Sequence, residues 1–230
     1  MAAHVFTTAT LRLVEDEQEW GAVAELMGVS RERLRLIRQV HGVGVTVVRP
    51  GEDEGSGRPE ADIIISGDPE VAIGVRVADC APVLLADVRL GVVGAAHAGW
   101  RGTLRGAAAV AVEAMRRDFG TRAADLVAAI GPCLGPCCGE VGPEVLEAFR
   151  DAGHGPDRVG RWFSAGASGR PYLDLWTANR DQLEGAGVQA SQIFVAGLCT
   201  RTHASLLHSY RAHGAGAGRM VAAIRASARD

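Results

Sequence analysis

Residues 61–103 read ADIIISGDPEVAIGVRVADCAPVLLADVRLGVVGAAHAGWRGT, and this stretch decides the fold. Its apolar residues fall in runs at 61–66, 71–78, 82–88 and 91–96, each bounded by Gly, Pro or Asp. Short continuous runs closed by turn residues are the pattern of buried strands. The end of the last run, His97-Ala98-Gly99-Trp100-Arg101-Gly102-Thr103, turns into an alanine-rich segment that predicts one long helix reaching Phe119. Upstream, 17–27 and 31–38 read as short helices broken at Gly28-Val29-Ser30, with Ser30 as an N-cap, and 44–48 reads as a strand. The Gly-, Glu- and Asp-rich segment 51–60 reads as a solvated loop. Downstream the pattern predicts a strand at 126–130, a Gly/Pro/Cys loop at 131–139, helices at 143–150 and 175–184, a strand at 192–196 and a C-terminal helix from Arg219. Interleaved strands and helices define an α/β chain. Strand lengths are too irregular for a barrel, and neither a repeat nor a long linker divides residues 1–230, so a single domain is expected.

Composition narrows the function. The 230 residues are 47% hydrophobic and 22% charged, ordinary for a globular protein. A net charge of -3 provides no basic footprint for nucleic acid and no polybasic membrane anchor. No apolar stretch approaches the roughly 20 residues needed to span a bilayer, and the first ten residues lack the pattern of a secretory signal. A cytoplasmic location is therefore expected. Five cysteines, an odd number, argue for reduced thiols free for metal or catalysis rather than a disulfide framework. The sequence has no lysine, which excludes Schiff-base, pyridoxal-phosphate and Walker A lysines.

Three residues stand out. His41 ends Arg38-Gln39-Val40-His41, Cys80 ends Val77-Ala78-Asp79-Cys80, and His97 ends Ala95-Ala96-His97. Cys80 and His97 close apolar strands, and ligands of α/β folds bind outside such strand ends. Taken singly, such a cysteine is most often a small buried hydrophobe and such a histidine a satisfied core or surface residue. Their separations are not the short ones of structural zinc motifs. Taken together, two imidazoles and a thiolate suit Zn²⁺, with copper as the alternative. Three protein ligands leave a fourth tetrahedral position for water, as in catalytic zinc sites, where the water's pKa falls to about 7.

The strings Gln39-Val40-His41-Gly42, Ala78-Asp79-Cys80, Ala95-Ala96-His97-Ala98-Gly99-Trp100-Arg101-Gly102 and Ile130-Gly131-Pro132-Cys133 recur together in one family. So do Leu173-Asp174-Leu175, Cys199-Thr200, Ser209-Tyr210-Arg211 and Gly218-Arg219-Met220. In this order, over nearly the whole chain, they resemble the purine nucleoside phosphorylases of the YfiH/YlmD type, formerly called polyphenol oxidases or laccase-domain proteins. The resemblance implies one domain of mixed sheet with flanking helices, similar to the catalytic fold of the cytotoxic necrotizing factor toxins. It implies that His41, Cys80 and His97 bind the metal. It also implies phosphorolysis of adenosine and inosine, cleavage of methylthioadenosine and deamination of adenosine, with nucleosides and phosphate as partners. Copper-dependent polyphenol oxidation and peptidoglycan editing are further activities attached to such proteins. The sequence departs from the pattern in a short N-terminal segment, in Gly139 where a tyrosine is usual, and in Ala212 where a second arginine is common.

Other residues carry open readings. Arg101 lies at a helix start among Gly99, Gly102 and Thr103, where free N–H groups and a guanidinium suit phosphate; the plainer reading is a surface arginine. Arg211 is the second anion candidate. Asp79 is a general-base candidate if the chain turns beside Cys80, and a structural residue if it stays in a strand. Cys133, Cys137 and Cys138 suggest a second metal or, more simply, a packed loop. His203, His208 and His213 read as loop histidines. Two rivals to a metallophosphorylase remain: a cysteine hydrolase or deamidase using Cys80 and His97, and a non-enzymatic factor that holds a cell-wall precursor.

Overall fold

The computed structural model describes residues 2–14, 16–51, 57–166 and 169–226. Positions 52–56 of the solvated loop expected at 51–60 lie outside them. Two mixed sheets form the centre. The larger has the order β11 (Ile193–Val195), β8 (Leu126–Ile130), β6 (Ala81–Asp87), β7 (Val92–Ala98), β4 (Ile63–Ser66), β3 (Val45–Val48). The smaller has the order β1 (Ala2–Phe6), β12 (Met220–Ala226), β5 (Ala72–Val77), β2 (Leu34–Leu36). A separate ribbon pairs β9 (Phe163–Ala165) with β10 (Pro171–Leu173). The helices are α1 (Glu17–Leu26), α2 (Trp100–Leu104), α3 (Ala107–Phe119), α4 (Pro143–Asp151), α5 (Pro156–Trp162), α6 (Leu175–Gly185) and α7 (Tyr210–His213).

The apolar runs are strands because both of their faces are covered. Along β4, Ile64 faces the smaller sheet, while Ile63 and Ile65 face the helices. Along β7, Val93 and Ala95 meet the smaller sheet, and Val92, Ala96 and Ala98 meet α3 and its neighbours. Ile73 and Val75 of β5 and Ala222 and Ile224 of β12 complete the layer between the sheets. The outer face of the smaller sheet, with Ala72, Val221 and Ala223, is sealed by Trp20, Val23 and Met27 of α1 and its C-terminus. Each fully buried Val, Leu or Ile contributes about 1.5–3 kcal/mol. A strand with both faces inside loses the polar alternation of a half-exposed one.

Three expected elements differ. The segment from Arg219 is β12, not a helix. It lies between β1 and β5, and its small side chains let the backbones approach: a Cβ on Gly74 of β5 would stand 3.1 Å from the Ala222 carbonyl oxygen. Tertiary burial overrides alanine's helix propensity there; positions 227–230 lie outside the described residues. The segment 31–38 is a 3₁₀ turn, Arg31–Arg33, followed by β2, which pairs in parallel with β5. The long helix after His97 is two helices, α2 and α3, separated by Gly106 in the left-handed conformation (φ 79°). No helix among the described residues is long and apolar enough to cross a membrane.

Candidate metal centre and its cavity

Two turns and the end of a strand deliver the three donors. His41 sits in the connection from β2 to β3 with φ 59°, and Cys80 in the connection from β5 to β6 beside Asp79 with φ 87°. His97 is near the end of β7, paired with Pro82. The donor atoms of His41, Cys80 and His97 all lie within 4.8 Å of one another. The two imidazoles meet edge to face, 4.9 Å between centroids. Gly99 is required beside them: a Cβ there would lie 2.7 Å from the Cys80 sulfur.

One residue organises the cluster, and it is absent from the sequence-derived candidates. Asp62 is fully buried at the start of β4. Its carboxylate accepts the backbone N–H groups of Val40 (3.2 Å), His41 (2.9 Å) and Gly42 (2.6 Å). It also meets His97 Nδ1 at 2.8 Å. The left-handed His41 turn is thus wrapped around the same carboxylate that orients His97. With Nδ1 as the donor to Asp62, His97 keeps Nε2 as its free donor atom. Burial acts to raise the Asp62 carboxyl, but the hydrogen bonds from His97, Gly42 and Val40 outweigh it and hold it below its ordinary range. The sequence signal was an acid embedded in an otherwise apolar run, since a buried charge requires partners.

The Cys80 thiol has its pKa pushed up by burial and, more strongly, down by the two histidines, to about 6. Burial alone would lower His97, and Asp62 and Cys80 raise it to about 9. Both shifts favour a thiolate beside a protonated imidazole in the metal-free cluster. A cation would replace that proton charge among donors already converging, and a borderline-soft N, N, S set fits zinc and also copper.

The cluster forms one wall of a cavity of about 690 Å³, the size of a small-molecule site. Trp100, Leu134, Val141, Leu173, Leu175 and Tyr210 supply apolar surface, and Arg12, Arg76, Arg211 and Arg219 supply cations. No ion pair involves these four arginines among the described residues. Burial, then the neighbouring charges of Arg58 and Arg219, lower the Arg76 pKa, so an anion here is welcome. Gln39 fixes Arg76's backbone in both directions, Nε2 to its carbonyl at 2.7 Å and N–H to Oε1 at 2.9 Å.

The other sequence candidates land differently. Arg101 is exposed and is not among the residues lining the cavity; its guanidinium stacks over Trp100, 4.2 Å from the ring centroid. Arg12, Arg76, Arg211 and Arg219, by contrast, line the cavity. Arg211 lines the cavity, its Nη1 donating to the Cys138 carbonyl at 3.1 Å. Asp79 accepts Thr200 Oγ1 and the Arg211 backbone N–H, both at 2.5 Å. Those bonds tie three segments together. His203 and His208 bond the carbonyls of Cys199 and Leu11. Gly139 lines the cavity too, and any Cβ there would overlap the Leu173 carbonyl. The short N-terminal segment still contributes Arg12 and Val14 to the wall.

A double-sheet α/β domain with a His₂Cys cluster in a cavity is the class these features define. The chain belongs to the family described as multi-copper polyphenol oxidoreductase laccase, whose profile matches residues 14–227. It is similar to the purine nucleoside phosphorylase of Deinococcus radiodurans, 40% identical over 206 residues, covering 88% of this chain and 74% of that one. It is similar to that of Bacteroides thetaiotaomicron, 37% identical over 163 residues, covering 71% of this chain and 60% of the relative's length. A protein from an unknown prokaryotic organism named adenosine deaminase RL5 is 34% identical over 208 residues, covering 88% of this chain and 78% of that one. Among solved structures, the hypothetical protein YfiH of Bacillus licheniformis superposes with a TM-score of 0.89 at 28% identity, covering 98% of this chain and 93% of that one.

Proposed function

We propose that this chain is a metal-dependent purine nucleoside phosphorylase that also deaminates adenosine. The observation behind this reading is the junction, in one cavity, of the His41–Cys80–His97 cluster with arginines that have no ion pair among the described residues. His41, Cys80 and His97 would hold zinc, with copper as the alternative. When bound, such a cation supplies Lewis acidity and lowers the pKa of a water. Asp62 keeps the Nδ1 proton on His97 and the His41 turn closed. Arg76, Arg211 and Arg219 hold the phosphate beside the sugar. In phosphorolysis a phosphate oxygen forms a bond to C1′ as the bond from C1′ to the purine nitrogen breaks, and base and sugar phosphate leave. The apolar wall around Trp100 and Tyr210 takes the purine.

Metal analysis of the purified protein, beside a panel of adenosine, inosine and methylthioadenosine with and without phosphate, tests this. We expect about one zinc per chain and phosphate-dependent release of free base. No free base from any of the three, with phosphate and metal supplied, overturns it.

A second reading has its own support. Cys80, His97 and Asp62 stand in the order nucleophile, base and orienting acid, with the thiol pKa near 6. A cysteine hydrolase or deamidase would be metal-free as isolated, and one equivalent of alkylator on Cys80, located by peptide mapping, would abolish its activity. A metalloenzyme would be protected from that alkylation by zinc.

A further inference from the structure

The loop at 131–139, which gives Leu134 and Gly139 to the cavity wall, meets the turn after β11, and three sulfurs converge where they meet. Cys137 and Cys138 come from the loop and Cys199 from the turn. The two segments are joined by a backbone bridge between Cys133 and Cys199, with the Thr200 N–H donating to the Cys133 carbonyl at 3.0 Å. The three sulfurs lie within 4.8 Å of one another, and those of Cys137 and Cys138 are 3.7 Å apart. All are free thiols; Cys138 and Cys199 are buried and Cys137 is exposed.

Simple hydrophobic packing of cysteine buries each sulfur among carbon. Here the sulfurs face one another from two chain segments, and one is open to solvent. Gly135 lets the loop close on the turn, since a Cβ there would stand 2.5 Å from the Trp176 ring and 3.1 Å from Cys199 Cβ. The trio is therefore gathered by the fold before anything binds.

We propose that Cys137, Cys138 and Cys199 form a second, all-sulfur cation site, separate from the His41–Cys80–His97 cluster, that takes a soft monovalent cation of the Cu(I) class. Soft thiolates select Cu(I) and zinc. Closed structural zinc sites use four protein ligands, and three sulfurs converge here; Cu(I) accepts so low a coordination number. Each thiol that binds gives its proton to solvent as the sulfur–copper bond forms, and copper remains Cu(I), so no oxidant is involved. The site would brace the cavity. The Cys138 carbonyl accepts Arg211 Nη1, and Thr200, next to Cys199, holds Asp79 beside Cys80. This inference does not depend on the purine reading.

The test uses the full chain with Cys80→Ala, which removes the sulfur of the other cluster and leaves four cysteines. Anaerobic titration with Cu(I) in competition with bicinchoninate is expected to show one Cu(I) per chain, with three thiols protected from a thiol reagent. X-ray absorption at the copper edge is expected to show a sulfur-only shell. Adding Cys137→Ser, an exposed change that leaves the fold intact by circular dichroism, is expected to weaken binding at least about tenfold, a loss of about 1.4 kcal/mol. Substoichiometric binding, nitrogen in the copper shell, or unchanged affinity in the Cys137→Ser variant overturns the proposal. So does a disulfide among the three in freshly reduced protein.

Discussion

The fold gathers two groups of converging donors, and they differ in how they are held. The His41–Cys80–His97 group mixes nitrogen and sulfur, is fastened by the buried Asp62 carboxylate, and opens into the cavity. The Cys137–Cys138–Cys199 group is sulfur alone and is fastened by loop packing. Both are preorganised. The first has an ionisable outer partner that sets a tautomer and a wide space for a substrate. None of the three residues of the second lines that cavity. Reactive geometry requires the carboxylate and the cavity; three close donors alone provide a bracing point.

The largest effect that sharpens this contrast comes from Cys80→Ala. It is expected to take zinc content and both purine activities down to the level of the metal-free protein, while the thiol trio keeps its reactivity; zinc analysis and turnover assays check it. Next is Asp62→Asn, which preserves shape but removes the charge facing His97. Outer partners of metal ligands are typically worth 10–100-fold in affinity or activity, and a loss in that range is expected by chelator competition. If Asp62→Asn binds metal like the parent, the carboxylate is not what separates the two groups.

Much of this was legible in the sequence. The runs at 61–98 gave four strands with boundaries within about two residues, because strands covered on both faces leave unbroken apolar runs. Of the three proposed metal donors, Cys80 and His97 stood out by residue type and position at strand ends, and the family resemblance joined His41 to them. The segment from Arg219 was not legible, because Met220-Val221-Ala222-Ala223-Ile224 suits a helix locally and becomes a strand only through pairing with β1 and β5. Cys199 was not connected with Cys137 and Cys138 for a related reason: sixty residues separate them, and only the backbone bridge to Cys133 brings the turn back. Arg12 and Arg76 were passed over because nothing local marks an arginine that ends in a cavity.

A smaller effect is expected from Gly99→Ala. The backbone at Gly99 is extended (φ -69°), so the cost lies in space: the new methyl would press on the Cys80 sulfur at 2.7 Å. Overpacking of this kind costs about 1–3 kcal/mol. Thermal denaturation of the metal-free protein should register it, and metal affinity should fall with it. The same methyl touches nothing in the thiol trio, so Cu(I) binding there should be unchanged.

The smallest expected effect is that of Arg101→Ala, and it is informative through its partner, Arg211→Ala. Arg101 is exposed, and its guanidinium rests on Trp100. An exposed cation–π contact contributes about 0.5–1 kcal/mol, and its loss acts on stability, not on phosphate. The phosphate dependence of base release is therefore expected to match that of the parent. Arg211 reaches into the cavity between Asp79 and Cys138. If it holds phosphate, removing one charge-assisted contact costs about 1.5–3 kcal/mol, roughly ten- to a hundredfold in the phosphate-dependent rate, while adenosine deamination is spared. Measuring both activities in both variants separates the cases. A selective loss of phosphate use in Arg101→Ala would place the anion at the start of α2, outside the cavity, and would detach the arginines inside from the reaction. Equal losses of both activities in Arg211→Ala would instead show that it acts by holding the Asp79 turn, on which Cys80 depends.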